Sequence, residues 1–475
     1  MATTQRGEKS SKISKMKVRV LSEELLKPKT PADHPKLLEL SVIDQVQPRF
    51  HGPPMLAFLG PMPDALPFEE FVQRSKEAWA RTLVAYYPLA GRLVRQKEGC
   101  LAIDCNDAGI LVRAAEADCP LPQEMVTGTS MAGSDKLFFT ERGEDITTVP
   151  LLLIQFTRFQ DNSLCMYFGF HHTVSDGASS SLAAYYWIEL FKGKEPPFVP
   201  VHDRSLLKAS GEPVPSKTHA VLGLAPTFPI PKVVKIMLGS PRLKRVIPYL
   251  PKRMILPDVP LHRLFFSKGK LEALKKDACE GLPAGRFVST NDALTALLWR
   301  SISAARGLHK IPEQKTRLAF AADGRSKTEP PLPEEYFGGA NITTLSDATA
   351  ADLQNQPLSW SASKVRDSVS RVDAGYVRNV VDWIAEQPNK AALGLNINAH
   401  LGPDLLVSIL TKFPIDLMDL GWGNALAVAP GKYHIPFDGL VVLVGSRGGV
   451  CAFVSLLAGH MKKLMKHEPL LKYVG

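Results

Sequence analysis

Residues 169–180 read GFHHTVSDGASS and decide how the rest of the chain is interpreted. They continue an apolar run, residues 163–170 (SLCMYFGF), which has apolar side chains on both faces, as buried strands do. A strand that ends in a tight glycine turn projects its last side chains beyond the sheet edge, and Gly177 can adopt the positive φ that such a turn needs. The stretch therefore predicts that His172 and Asp176 lie beside a cleft at a sheet edge.

A histidine beside a cleft is a candidate general base. Its ordinary pKa of about 6.5 leaves the imidazole largely neutral at cytosolic pH. A base that removes the proton of an attacking hydroxyl accelerates a reaction by about 10²–10⁴. The HxxxDG pattern arises by chance in roughly a few per cent of such chains, so a structural histidine in a satisfied turn is the alternative. His171 fits that alternative, because neighbouring side chains of an extended segment point to opposite sides.

Strand-like and helix-like segments alternate in both halves of the chain, which predicts mixed α/β layers. Serines stand at the start of one predicted helix, where caps belong. Ser289 or Thr290 caps the clearest helix, whose apolar residues recur on one face. The predicted strands are residues 18–21, 38–42, 149–159, 163–170, 263–267, 405–410, 440–444 and 450–456, and the predicted helices are residues 68–87, 179–191, 271–278 and the segment that follows Ser289.

The length of 475 residues exceeds the roughly 250–300 at which a single core stops growing, so we expect two domains. Ten prolines between residues 206 and 262 predict a long crossover linker, because proline excludes long helices and central strands. The predicted division is an N-terminal domain of residues 17–205, the linker of residues 206–262, and a C-terminal domain of residues 263–475. Seven Lys or Arg and no acid in residues 232–253 indicate a solvated loop, or a basic rim for phosphates or an anionic membrane surface.

The composition indicates a globular protein with excess positive charge. Its formal net charge of +10 favours an anionic partner. We expect a phosphorylated small molecule and no nucleic acid, since zinc-ligand spacing and a basic recognition helix are missing. Six cysteines without a CxxC pair favour reduced thiols in the cytoplasm. The first residues lack the apolar stretch of a secretory signal, and no apolar run reaches the roughly 18 residues of a transmembrane segment.

Five segments resemble the BAHD (HXXXD-type) family of plant-type acyl-CoA-dependent acyltransferases. The first family signature, HxxxDG, is matched by His172, Asp176 and Gly177. The second, DFGWG, is matched by residues 419–423, with Leu420 in place of phenylalanine. The order and spacing follow the family over nearly the whole chain, and the other similar segments are residues 87–93 (YPLAGRL), 289–300 (STNDALTALLWR) and 323–339 (DGRSKTEPPLPEEYFGG).

The resemblance implies two similar-sized domains, each a mixed β-sheet flanked by helices as in chloramphenicol acetyltransferase, with a tunnel between them. Acyl-CoA enters from one face and the acceptor from the other, and His172 is the general base where they meet. Asp176 pairs with an arginine that the sequence does not identify. Free CoA is the second product, and neither a metal nor a permanently bound cofactor is implied. The residues of the second motif have an accessory, mainly architectural role, with a direct role for Asp419 as the alternative: Asp419, Gly421, Trp422 and Gly423.

Two positions depart from the relatives that acylate shikimate. Those relatives carry a tryptophan shortly before the second motif and an arginine further upstream that grips the acceptor carboxylate. The corresponding residues here are Leu410 and Leu395, and leucine cannot bind a carboxylate. We therefore expect a less polar acceptor than shikimate or quinate.

Four further residues are assigned from the same resemblance. Ser408 falls at a small hydroxyl position and is a candidate to support the oxyanion. Gly339 replaces the asparagine of the family's YFGN, which removes a polar tether near the site. Lys268 and Lys270 lie where relatives place a basic residue near the CoA phosphates, and solvated lysines at a strand end explain them equally well.

Several alternatives stay open at this point. The acyl group is hydroxycinnamoyl, another aromatic group or aliphatic, and the acceptor is a hydroxyl or an amine. HHxxxDG also occurs in the condensation domains of nonribosomal peptide synthesis, although the second signature and the absence of a carrier domain disfavour that class. A catalytically idle binder of the same fold is the third class, and the intact His172 and Asp176 argue against it. Family members usually act as monomers in specialised metabolism, and we expect the same here.

Overall fold

The computed structural model describes residues 16–31, 33–52, 54–140, 145–212, 221–224, 259–412, 418–432 and 437–475. The N-terminal tail and most of the predicted linker, including the basic residues 232–253, lie outside the described residues.

Strands and helices alternate through the described chain, as predicted. The strands are β1 (Val18–Leu26), β2 (Leu37–Glu39), β3 (Met55–Pro61), β4 (Arg92–Arg95), β5 (Leu101–Asp104), β6 (Ile110–Ala117), β7 (Leu152–Arg158), β8 (Ser163–Phe170), β9 (Leu222–Leu224), β10 (Leu261–Ser267), β11 (Lys315–Asp323), β12 (Asn341–Thr349), β13 (Leu393–Leu395), β14 (Leu405–Leu410), β15 (Ala427–Pro430), β16 (Leu440–Ser446) and β17 (Gly449–Ser455). The helices are α1 (Val42–Gln45), α2 (Phe68–Ala85), α3 (Gln123–Val126), α4 (Gly177–Phe191), α5 (Lys268–Cys279), α6 (Thr290–Ala305), α7 (Ala350–Asn355), α8 (Leu358–Ser370), α9 (Ala374–Glu386), α10 (Ala458–Leu464) and α11 (Glu468–Leu471).

Two six-stranded mixed sheets form the framework. The first has the order β1-β6-β7-β8-β3-β15, and its strands are antiparallel except for the parallel pair β6 and β7. The second has the order β10-β17-β16-β14-β11-β12, with β14 parallel to both β11 and β16. A three-stranded sheet, β2-β5-β4, and a short β9–β13 ladder complete the pairing. The predicted fold class, α/β with two mixed sheets flanked by helices, is confirmed.

Strand β15 crosses between the two halves of the chain. It comes from the second half of the sequence, yet it pairs with β3 at the edge of the first sheet, with Ala429 opposite Leu56. The ladder of β9 and β13 likewise joins residues 222–224 to residues 393–395. The predicted domain boundaries, residues 205 and 263, remain a proposal. The division at these residues did not include the pairing of β15 with the first sheet.

Apolar clusters hold the layers together. Helices α2 and α4 cover the outer face of the first sheet, where the rings of Trp79 and Trp187 stack with their centroids 5.6 Å apart. Helix α6 covers the second sheet in the same way, with Trp299 fully buried. A third cluster includes Phe58 of the first sheet and Phe453 of the second. The two sheets therefore face each other across an apolar layer.

Local hydrogen bonding corrects two predictions. Residues 38–42 were predicted to form a strand, but β2 ends at Glu39 because Ser41 and Asp44 form a capping box that starts α1. Helix α4 was expected to be capped by serines after a positive-φ turn at Gly177, but Asp176 is the N-cap and accepts a hydrogen bond from the Ser179 backbone N–H. Gly177 does not adopt positive φ, because it is already the first residue of the helix. The predicted cap of α6 is confirmed, because Ser289 forms a capping box with Asp292.

A charge introduced on β15 tests the layer between the sheets. Ala429 is 1% exposed in that cluster, so we expect Ala429→Asp to destabilise the protein by about 3–5 kcal/mol, since it buries an unpaired carboxylate. The midpoint of urea-induced unfolding measures the change. Leu426→Asp is the matched control, because Leu426 is 48% exposed just before the same strand. Equal midpoints for the two variants would show that β15 does not pack between the sheets.

Candidate active site

His172 follows the end of β8, and hydrogen bonds fix its backbone. Its N–H donates to the Phe50 carbonyl at 2.9 Å, and the neighbouring His171 N–H donates to the Leu151 carbonyl at 2.8 Å. The two side chains differ in environment. His171 is 1% exposed and packs edge-on against His51 with ring centroids 5.3 Å apart, whereas His172 is half-buried and lines two cavities.

Burial controls the protonation of His172. It lowers the pKa of the imidazole below its ordinary value of 6.5, and this outweighs the opposing effects of the residue's own backbone and of Asp176. The Nδ1 atom is buried and has no hydrogen-bond partner within the described chain. Gly52 packs against the ring, because a Cβ there would lie 3.3 Å from His172 Cδ2. The imidazole is therefore held closely and stays neutral at neutral pH.

Two cavities converge on His172 and Ser408, which line both of them. The first measures about 180 Å³ and is mainly apolar; its walls include Phe168, Phe170, Tyr185, Ile188, Leu410 and Met418. The second measures about 480 Å³ and is more polar; its walls include Gln47, Arg49, Asn341, Thr343 and Leu395. An apolar group and a polar molecule can therefore approach the same histidine from different sides.

Asp176 is paired with Arg325, the arginine that sequence reasoning could not identify. Arg325 Nη2 donates to Asp176 Oδ1 at 2.9 Å, and Nη1 donates to Oδ2 at 3.0 Å. The Ala340 N–H donates to Oδ2 at 2.9 Å. Both side chains are buried, with exposed fractions of 7% for Arg325 and 5% for Asp176. The two carboxylate oxygens are fully used in holding structure together.

The electrostatics of Asp176 agree with this geometry. Burial acts to raise the pKa of the carboxyl, but Arg325 and the N–H groups of Ser179 and Ala340 reverse that effect and hold the pKa below its ordinary value. Asp176 is therefore ionised, and its pairing joins the start of α4 to a 3-10 turn in the second half of the chain.

A second buried ion pair lies behind the first. Arg204 Nε is 3.5 Å from Asp44 Oδ2, and Arg204 Nη2 donates to the Val174 carbonyl at 3.0 Å, within the loop between His172 and Asp176. The Gly339 N–H donates to Asp44 Oδ1 at 2.7 Å, and a Cβ on Gly339 would lie 2.8 Å from that oxygen. The glycine that replaces the family asparagine thus lets the backbone, rather than a side chain, contact Asp44.

The second motif forms a self-contained turn. Asp419 Oδ1 accepts hydrogen bonds from the N–H groups of Gly421 at 2.7 Å and Gly423 at 3.1 Å. Both glycines have positive φ, +108° and +118°, which explains why the turn uses glycine. Trp422 packs edge-on against Phe71 and Phe191 of the first half, and the motif lines neither cavity. An architectural role for this motif is consistent with that geometry.

Lys268 and Lys270 lie apart from both cavities. They are exposed at the start of α5, and Lys270 Nζ donates to the Lys472 carbonyl at 2.8 Å. Their assignment to the CoA phosphates stays a prediction. Across the described ranges, no three His, Cys, Asp or Glu side chains cluster as metal ligands, and no described helix has the length and apolar character to span a membrane.

The chain is similar to known acyltransferases over nearly its whole length. The model of the Transferase family matches residues 16–471. A shikimate O-hydroxycinnamoyltransferase of Nicotiana tabacum is 30% identical over 454 residues, which cover 95% of this chain and 99% of the relative. A hydroxycinnamoyl-CoA:5-hydroxyanthranilate N-hydroxycinnamoyltransferase of Avena sativa is 31% identical and covers 90% of this chain and 94% of the relative.

Solved structures agree on the fold. The crystal structure of F. sporotrichioides TRI101 complexed with coenzyme A and T-2 aligns with a TM-score of 0.75 at 18% identity, covering 92% of this chain and 99% of that chain. At that identity the likeness concerns the fold, and the family follows from the sequence matches. The chain belongs to the Transferase family, the BAHD acyl-CoA-dependent O- and N-acyltransferases.

Proposed function

We propose that this enzyme transfers a hydroxycinnamoyl or similar aromatic acyl group from acyl-CoA to a hydroxyl or amine, with His172 as general base and free CoA as the second product. The observation that carries the proposal is that His172 and Ser408 line both cavities. A base at this position can act on an acceptor in one cavity while a thioester presents its carbonyl from the other.

The chemical step uses the neutral imidazole. Because Nδ1 is buried, Nε2 is the nitrogen that takes the proton of the acceptor O–H or N–H as that atom attacks the thioester carbon. The carbonyl electron pair moves onto oxygen, and the Ser408 hydroxyl donates a hydrogen bond to this oxyanion. The intermediate then collapses, the C–S bond breaks, and the imidazolium returns its proton to the departing thiolate. An ester or amide and free CoA result.

The walls of the first cavity favour an aromatic acyl group. Phe168, Phe170 and Tyr185 contribute rings, and Ile188 and Met418 add further apolar surface. Flat apolar groups gain most from such walls, since aromatic contacts add about 0.5–1.5 kcal/mol beyond the burial of area. The names of the Nicotiana and Avena relatives, which are hydroxycinnamoyltransferases, support the same class of donor.

Asp176 acts as a positioning residue. Its oxygens are occupied by Arg325 and by the N–H groups of Ser179 and Ala340, so the carboxylate holds the turn that carries His172 and does not accept the substrate proton. The second motif packs on the core of the first half, because Trp422 contacts Phe71 and Phe191.

We further propose that the enzyme works in the cytoplasm as a monomer. All six cysteines are free, which supports a reducing compartment.

Replacement of the base is the primary test. We expect His172→Ala to lower kcat by about 10²–10⁴-fold, because no base remains to take the proton from the attacking hydroxyl or amine in the transition state. Release of free thiol from hydroxycinnamoyl-CoA with pooled alcohols and amines measures the rate. His309→Ala is the matched control, since His309 is exposed. Turnover by His172→Ala equal to that of the control would remove this mechanism.

The pH dependence gives a second test. A general base works when deprotonated, and burial lowers the pKa of His172 below 6.5. We therefore expect kcat/KM to stay flat as the pH falls through about 6.5 and to decline only under more acidic conditions. Initial rates across this range, with circular dichroism to verify folding, measure the profile. An acid limb centred above about pH 7 would contradict the proposed base.

The buried ion pair gives a third test. Asp176→Asn leaves Arg325 charged and buried, so we expect a loss of about 3–5 kcal/mol in unfolding free energy and a lower kcat. Asp323→Asn is the matched control, because Asp323 pairs with the same arginine at 3.0 Å but is 60% exposed; its cost should stay within about 1 kcal/mol. Urea unfolding measures both.

A double variant separates pairing from simple loss of structure. Asp176→Asn combined with Arg325→Met should cost less than the sum of the two single changes, because the unpaired charge is gone. Additive costs would mean that the two side chains are not coupled.

A further inference from the structure

The second cavity contains a cation that the motif comparison did not reveal. Arg49 lines this cavity together with Leu395, the residue at the position where shikimate-acylating relatives carry their arginine. Among the described residues that line it there is no lysine and no other arginine. The cavity thus has an uncharged leucine, Leu395, where those relatives have arginine, and it has a positive charge at Arg49.

The guanidinium of Arg49 is only partly used by the protein. Arg49 is half-buried, and its Nη2 donates to the Gly99 carbonyl at 2.9 Å. Within the described part of the chain no carboxylate pairs with it, and none of its nitrogens is buried without a partner. The other N–H donors of its guanidinium group are therefore available to a ligand.

The surroundings of Arg49 disfavour a lone positive charge. Burial lowers the pKa of its guanidinium, and the nearby Arg95 lowers it further. An anion beside the fork would offset both effects and complete its hydrogen bonding.

Arg49 shares the second cavity with His172. The next residue, Phe50, accepts the hydrogen bond from the His172 backbone N–H at 2.9 Å. The phosphates of CoA are separated from its thioester by the long pantetheine arm, so a phosphate is a poor match for an arginine that shares a cavity of about 480 Å³ with the base. A small anionic acceptor fits better.

A polar atom in the same cavity supports a polar acceptor. Asn341 Oδ1 is buried and has no hydrogen-bond partner within the described residues. An unpaired buried acceptor atom is unfavourable, and a hydroxyl or amine of the ligand would satisfy it.

We infer that Arg49 binds a carboxylate of the acceptor, so that the enzyme acylates hydroxy acids or amino acids although Leu395 replaces the family arginine. The inference rests on the proposed function, and it reverses the expectation of a less polar acceptor drawn from Leu395 and Leu410. The carboxylate is held on the wall formed by residues 43–49 instead of the wall formed by β13.

Matched pairs of acceptors test this assignment. The probes are meta-hydroxybenzoate and meta-aminobenzoate, each beside its carboxamide, and lactate beside lactamide, with a hydroxycinnamoyl-CoA donor. We expect Arg49→Gln to raise KM for the carboxylates by about 10–100-fold, because hydrogen bonds to a charged group contribute about 1.5–3 kcal/mol. KM for the carboxamides and for the donor should change less than about twofold.

Two further variants make the result specific. Arg49→Lys keeps the charge without the fork and should fall between wild type and Arg49→Gln. Arg95→Gln is the control, because it removes a neighbouring exposed charge that does not line the cavity. Equal KM changes for carboxylates and carboxamides, or preference of the wild-type enzyme for carboxamides, would overturn the inference.

Binding separates this inference from the proposed function. Calorimetry with the same carboxylates, without donor, reports on Arg49 even in the absence of turnover. Binding that weakens in Arg49→Gln but not in Arg95→Gln supports the inference. If these carboxylates bind both variants and wild type equally, or do not bind at all, the inference is overturned. Failure of acyl transfer to every acceptor tested would instead contradict the proposed function.

Discussion

The buried pair of Asp176 and Arg325 is the interaction on which the site depends. The two residues are 149 positions apart, and their bidentate contact fixes the first turn of α4 to the second half of the chain. Neither charge can be left alone in the interior without a large cost. The pair therefore holds the turn after β8 against the 3-10 turn that follows β11, and β11 pairs with β14, which carries Ser408. This contact supports the proposed meeting point of base and oxyanion support.

The amino-acid sequence predicted some features of the fold and the site, but not others. His172 was distinguishable from His171 because side chains alternate at a strand end, and α6 was predictable because its capping box lies within four residues. The partner of Asp176 was not predictable, since a single sequence does not report contacts between distant segments. Residues 38–42 were misread because apolar content outweighed the Ser41 cap, and β15 is four residues long with no pattern that shows which sheet it joins.

Cavity walls explain why the acceptor was harder to predict than the reaction. The reaction class follows from short motifs, and those motifs keep their spacing in this chain. The second cavity is assembled from segments around residues 43–49, 221–222, 341–343 and 391–395. Reading Leu395 alone suggested that carboxylate binding was lost. The assembled cavity includes Arg49 from a different segment, so a positive charge can be supplied from elsewhere in the chain without any change in the motifs.

The most direct measurement of the central claim is a crystal structure of the His172→Ala variant with a hydroxycinnamoyl-CoA. We expect the aromatic group in the first cavity, against Phe168 and Phe170, with the thioester carbonyl beside Ser408. The carbonyl carbon should face the space that the imidazole vacates, with room between them for one acceptor oxygen or nitrogen about 3–3.5 Å from that carbon. An acyl group bound outside both cavities, with its thioester remote from residue 172, would contradict the assignment of His172 as the base.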